Sequence, residues 1–162
     1  MSFNHFDDKG QAIMVDVSAK NPTMRTAIAG AMVSMSHKTL AAITEGGIAK
    51  GDVLGVARLA GIAAAKKTPD LIPLSHPLAI HHVAIEFSVD QAKGCVRIEA
   101  TVRAFERTGV EMEAMVAASV AALTVYDMCK GMEKGITIGE IVLLHKEGGK
   151  SGTWQRGLPW GE

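Results

Sequence analysis

"HVAIEFSVDQAKGCVRIEATVRA", residues 82–104, alternates apolar and polar residues twice around one short connection. Val83, Ile85, Phe87 and Val89 fall on one face of the first run, with Ala84, Glu86 and Ser88 on the other. Val96, Ile98, Ala100 and Val102 repeat the pattern in the second run. A period of two is that of a half-buried strand, and the intervening "DQAKG" turns the two strands into a hairpin. Upstream, "GDVLGVARLAGIAAAKK" (51–67) changes period: Val53, Val56, Ala57, Ala60 and Ala64 form one helical stripe. Asp52 near its start and Lys66 and Lys67 at its end suit the helix dipole, and Gly55 and Gly61 point to close backbone packing. Downstream, "TGVEMEAMVAASVAALTVYDMCKGM" (108–132) is the longest periodic segment. Thr108 is its candidate N-cap, Glu111 and Glu113 lie in its first turns, and Gly131 closes it. A strand at "TAIAGAMVSMS" (26–36) precedes this set and one at "GITIGEIVLLHK" (135–146) follows it. The order is strand, helix, strand, strand, helix, strand. That is the α+β, ferredoxin-like (split βαβ) plan: an antiparallel sheet with helices on one face. Its other face needs cover from extra elements or a second subunit, so a homo-oligomer is expected.

The chain has 162 residues, 48% of them hydrophobic, enough for one sizeable core and short for two. A flexible arm is expected over 1–13, a single domain over 14–152 and a tail over 153–162. Within that body "IMVDVS" (13–18) reads as a short strand and "HKTLAAITEGG" (37–47) as a short helix closed by glycines. Seventeen basic residues balance seventeen acidic ones, so nothing global attracts nucleic acid or an anionic membrane. Aromatic content of 4% argues against base-stacking platforms; Phe87, Phe105 and Tyr126 read as core or interface. No signal-type segment or apolar run of spanning length is seen, and Cys95 and Cys129 lack metal-type spacing. These features suit a reducing cytoplasm.

Three stretches carry polar residues that the pattern does not need. In "ALTVYDMCKGM", Asp127 and Lys130 are three apart and share a helical face. They are either a solvated ion pair or, given apolar surroundings, a partly desolvated proton acceptor and donor. Glu111 and Glu113, two apart, cannot share one stripe; they either favour the first turn or bind the polar edge of a base. In "KKTPDLIPLSHPL" (66–78), Pro69, Pro73 and Pro77 stiffen the backbone around His76, whose polar neighbour is Ser75. A preset imidazole can hold a phosphate or relay a proton, or it can simply hydrogen-bond at a tight bend. His81 and His82 are adjacent and so point to opposite faces of a strand, which disfavours a metal site. "LLHKEGGKSG" (143–152), with Lys146 and Lys150 around two glycines, offers a weak anion-binding turn. This inventory suits a phosphorylated small molecule and acid–base chemistry without naming a reaction.

"MVDVSAK", "KGDV", "ARLAGIAAAKKTPDLIPLSHPL", "TGVEMEAMVAASVAALTVYDMCK" and "GGKSG", spread in order from Met14 to Gly152, resemble the molybdenum cofactor biosynthesis protein C family, the cyclic pyranopterin monophosphate synthases. The resemblance implies a hexamer, a trimer of dimers, with active sites at subunit interfaces. It implies a substrate derived from guanosine triphosphate, release of pyrophosphate and no cofactor. By motif it assigns Lys50, Asp127 and Lys130 to catalysis. His76, Lys66, Lys146 and Arg25 would hold phosphates, and Glu111 and Glu113 the guanine-derived ring. Ser75 stands where family members commonly carry Cys. Serine replaces a thiolate poorly, so that position is expected to be structural.

Overall fold

A computed structural model describes residues 5–157 of the chain; residues 1–4 and 158–162, with Trp160 among them, lie outside the described residues. The elements run β1 (Thr23–Ser34), α1 (His37–Thr44), α2 (Val53–Ala65), α3 (Thr68–Leu71), β2 (Ile80–Asp90), β3 (Cys95–Glu106), α4 (Glu111–Cys129), β4 (Thr137–Glu147) and β5 (Trp154–Gln155). They form one antiparallel sheet in the order β2-β3-β1-β4-β5, with α2 and α4 against one face. This is the ferredoxin-like arrangement that the strand and helix order predicts.

The register places the hairpin's apolar faces where alternation requires. Ile85 pairs with Ala100 and Phe87 with Ile98, while β1 answers β3 through Ala29 opposite Ala100, Ala31 opposite Ile98 and Val33 opposite Val96. Alanines on β1 leave room for α4 to approach the sheet, and Ala114, Ala117, Ala118, Ala121 and Ala122 are fully buried there. α2 lies alongside α4 at equally short range. A Cβ on Gly61 would come within 3.0 Å of the Ala117 carbonyl oxygen and 3.1 Å of Ile85 Cδ1, so close approach is the reason for this glycine. Asp52 caps α2 by accepting a hydrogen bond from the Gly55 N–H at 2.8 Å.

Several local expectations are corrected. Ile13–Ser18 forms no strand, since the segment pairs with no ladder and runs irregularly over the body. Thr108 does not cap α4: Val110 occupies the N-cap without a side-chain bond. On α2 the buried stripe is Val53, Ala57, Gly61, Ala64 and Ala65, while Val56 is 42% exposed, because the side toward α4 is set by Gly61. Of the two readings of Phe105, core is excluded, since it is exposed on the side of β3 opposite the core, and interface stays open. The tail contributes β5 beside β4, so the sheet continues past residue 152. Finally, α4 is long and apolar enough to cross a membrane by length and composition. Its burial against the sheet and α2 identifies it as the core helix.

Candidate active site

α4 places the site residues expected from the sequence at both of its ends. At its N-terminal end, Ser75, His76, Glu111 and Glu113 line a cavity of about 310 Å³. Arg25, Glu111 and Lys146 line a larger cavity of about 720 Å³. Lys20, Thr108, Gly109 and Glu111 border both, which makes them neighbouring parts of one cleft.

Each charge in the cleft has a local cause. Lys146 enters from β4, opposite Ala27 of β1, and forms an ion pair with Glu111. Arg25 of β1 is nearly buried; its Nε donates to the Glu106 carbonyl at 3.2 Å and Nη2 to the Arg107 carbonyl at 3.1 Å. These bonds fix the guanidinium plane at the cleft wall. The turn after β4 can lie on Arg25 because Gly149, at φ +72°, has no side chain to compete for the guanidinium's space.

Glu113 is 2% exposed and its Oε1 is buried with no hydrogen-bond partner among the described residues. Burial pushes its carboxyl up to about 7 against the opposing effect of its own backbone N–H, and the negative Glu111 nearby adds to the rise. The two glutamates differ in burial and partner, and both border the smaller cavity. The cleft therefore holds one ion-paired carboxylate and one carboxyl that is largely protonated below neutrality.

His76 faces the same cavity, but its Nε2 lies 2.7 Å from the carbonyl oxygen of Val15. A carbonyl only accepts, so Nε2 carries the hydrogen and Nδ1 is the nitrogen left for another partner. The segment read as a short strand thus acts as a wall: Val15, Val17 and Lys20 border the cavity, and His5 of the expected arm joins them. Sequence reading missed these residues. The lysine at the end of "MVDVSAK" was visible, but the contact that brings it to His76 is not local.

At the C-terminal end of α4, Asp127, Lys130 and Lys50 converge. Lys130 Nζ lies 2.6 Å from Asp127 Oδ1. Lys50 Nζ donates to the Asp127 backbone carbonyl at 2.7 Å and approaches Oδ2 at 3.4 Å. The Lys130 hydrogen bond and charge, then the Lys50 charge, hold the Asp127 carboxyl below its usual range, while Asp127 raises the Lys130 ammonium. An ionised acceptor flanked by two ammonium donors can both take and return protons. Of the two alternatives, the single chain shows the solvated one, with Lys50, Asp127 and Lys130 side chains 47%, 57% and 52% exposed. Their apolar sequence neighbours Val125, Met128 and Cys129 turn into the core instead.

The two groups are far apart. Glu111 and Asp127 are sixteen residues apart on one helix, about 24 Å at the helical rise per residue, more than one nucleotide-sized molecule spans. Lys66 caps α2 at the end that runs toward the start of α4, exposed and outside both cavities. Among the described residues no cluster of three or more His, Cys, Asp or Glu side chains is placed to hold a metal ion.

Residues 14–149 match the MoaC family. The chain is 76% identical over 156 residues to a cyclic pyranopterin monophosphate synthase of Geobacter sulfurreducens, covering 96% of this chain and 98% of that protein. It is 72% identical to the protein of that name from Geobacter metallireducens, over 98% of this chain and 99% of that one. A more distant relative of the same name, from Rhodospirillum rubrum, is 59% identical over 93% of this chain and 90% of its own length. A match across nearly the whole chain, including both ends of α4, places it: this chain belongs to the MoaC family.

Proposed function

We propose that this chain is a cyclic pyranopterin monophosphate synthase of molybdenum cofactor biosynthesis. It converts 3′,8-cyclo-7,8-dihydroguanosine triphosphate to cyclic pyranopterin monophosphate and releases pyrophosphate. The observation that carries the reading is the Asp127 carboxylate held between the Lys130 and Lys50 ammoniums, in a chain of this family. Asp127 takes protons and the lysines supply them as the purine-derived ring opens and the pyranopterin closes. Arg25 and Lys146 stabilise the charge that builds on the departing pyrophosphate, and His76 meets a phosphate oxygen through the ring nitrogen that Val15 leaves available. Glu113 supplies the buried acceptor or donor for the polar edge of the ring. Its unpaired Oε1 supports that role. Lys66, exposed at the same end of the helix pair, adds to the phosphate-binding charge.

The distance between the two groups supports a site shared by two copies. One copy contributes Lys50, Asp127 and Lys130; another contributes the cleft at the start of its own α4. Such docking would also desolvate the half-exposed trio. The homo-oligomer is a hexamer built as a trimer of dimers. Residues 14–152 carry the catalytic machinery, with β5 extending the sheet beyond them, and Ser75 serves the shape of the cavity wall without reacting. Two free, buried cysteines fit a cytoplasmic setting.

The test is pyrophosphate release and pterin formation from the cyclic dihydro-GTP intermediate by wild type and Asp127→Ala, each confirmed as a folded oligomer. Wild type turns over and the variant loses about 100-fold or more in kcat. A folded wild type that binds the intermediate without consuming it overturns the synthase reading in favour of a nucleotide sensor.

A further inference from the structure

The trio at the end of α4 is assembled from segments far apart in sequence. Lys50 sits in the irregular chain between α1 and α2, and Lys130 is the C-cap of α4. One side chain outside the cleft and outside the trio connects these segments. The Glu133 carboxylate accepts hydrogen bonds from the Ser36 N–H at 3.1 and 3.2 Å, the Ser36 hydroxyl at 2.7 Å and the Thr39 hydroxyl at 2.6 Å. All three donors belong to the start of α1. They hold the Glu133 carboxyl below its usual range, so it is a carboxylate at neutral pH.

Helix capping alone does not account for this arrangement. α1 already has a cap, since Ser36 Oγ accepts from the Thr39 N–H. Glu133 instead comes from the turn just after Lys130, which is closed by the Met132 and Glu133 N–H groups donating to the Cys129 carbonyl. The Tyr126 hydroxyl fastens the same turn to α4 through the Lys134 carbonyl at 3.2 Å. On the other side, α1 leads to Lys50 through a chain path that is itself tied. Gly47 N–H donates to Ala42, and Gly51 N–H donates to Ile48. The contacts therefore close a ring, from Lys130 through Glu133 to α1, on to Lys50, and back to Asp127.

Building on the synthase reading, we propose that Glu133 is a positioning residue: it locks α1 to the turn after Lys130 and thereby sets where the two ammonium groups meet Asp127. It touches neither Asp127 nor the cleft. Charge-assisted bonds to a buried hydroxyl, Thr39 being 1% exposed, make the lock stiff. Small displacements at a catalytic group are costly, so a loosened ring lowers the chemical step more than substrate binding.

The experiment compares wild type with Glu133→Gln and Glu133→Asp as intact oligomers. It reads kcat, KM and the titration of Asp127 by NMR of 13C-labelled aspartate. Glu133→Gln is expected to lower kcat about ten-fold with KM changed less than about two-fold, and to move the Asp127 titration upward toward an ordinary carboxylate. Glu133→Asp recovers part of both. A folded Glu133→Gln with wild-type kcat, a loss expressed only in KM, or an unmoved Asp127 titration overturns the proposal. Thr39→Val, which keeps the carboxylate and removes one donor, carries the same criteria if Glu133→Gln does not fold. If wild type itself does not turn over, the synthase reading fails, and the Asp127 titration still decides whether Glu133 positions the lysines.

Discussion

If one active site is built from opposite ends of α4 on two copies, two inactive variants restore activity when mixed. Asp127→Ala removes the acceptor at one end, and His76→Ala removes the imidazole at the other. About 24 Å of helix separates those ends in one chain, so neither variant damages the half-site that the other lacks. In a one-to-one mixture with random exchange, half of the copies offering the trio keep Asp127. Half of the clefts facing them keep His76. About a quarter of all sites are therefore intact, whatever the symmetry of the assembly, and the mixture recovers about a quarter of wild-type turnover. The assay is pyrophosphate release after the two variants are unfolded and refolded together, with mass spectrometry confirming mixed oligomers. Mixed oligomers with no more activity than the sum of the two parents would refute the shared site and require the cleft and the trio to act separately.

Glu113 gives a pH prediction with a fixed sign. Its carboxyl is raised from 4.5 to about 7 in the folded chain, so the folded state binds the proton more tightly. Its contribution to stability is complete below pH 4.5 and is lost as pH rises through about 7, a change of about 3 kcal/mol. Urea unfolding should show Glu113→Gln gaining on wild type by up to that amount between pH 5 and pH 8, and a difference independent of pH would disprove the assignment. Gly61→Ala sets a gain in helix propensity of about 1 kcal/mol against overpacking of about 1–3 kcal/mol. The Ala117 carbonyl at 3.0 Å is backbone and yields little, so thermal melting should show net destabilisation; an unchanged or higher melting temperature would mean that α2 and α4 can move apart freely.

What the sequence makes legible follows from the range of each interaction. The β2–β3 hairpin is readable because its alternation and its turn are contiguous, and α4 because a run of mostly apolar and small residues, unbroken by Pro or Gly, extends from Glu111 to Cys129. The Asp127–Lys130 pair is readable from a spacing of three. Lys50 joins that pair across 77 residues, and the Val15 carbonyl meets His76 across 61, so no local period records either contact. Motif resemblance supplied Lys50; nothing in the pattern supplied the wall formed by Val15, Val17 and Lys20. The apolar run in Ile13–Ser18 misleads for the same reason. It imitates a strand, whereas the segment lies along the cleft and spends a carbonyl on an imidazole. Local apolar composition misleads around Asp127, because neighbours in sequence on a helix point to different faces.

The ends of α4 also explain which charges are informative. A helix favours negative side chains at its start and positive ones at its end. Glu111, Lys50 and Lys130 obey that preference, so each could stand where it does for the sake of the helix alone, whereas Glu113, buried with an unpaired Oε1, is raised by that burial and draws little from the dipole. Asp127 does not obey it: a carboxylate in the last turn faces the negative end of the dipole. It is kept ionised there by an ammonium from its own helix and another from the chain before α2. A fold that needed only stability would place a neutral or basic residue at that position. The trio departs from the local electrostatic rule and is held in that departure by a separate set of contacts through Glu133. For that reason the proposed catalytic role rests more on Asp127 than on the better-placed Glu111, since its position is the one that helix electrostatics alone does not explain.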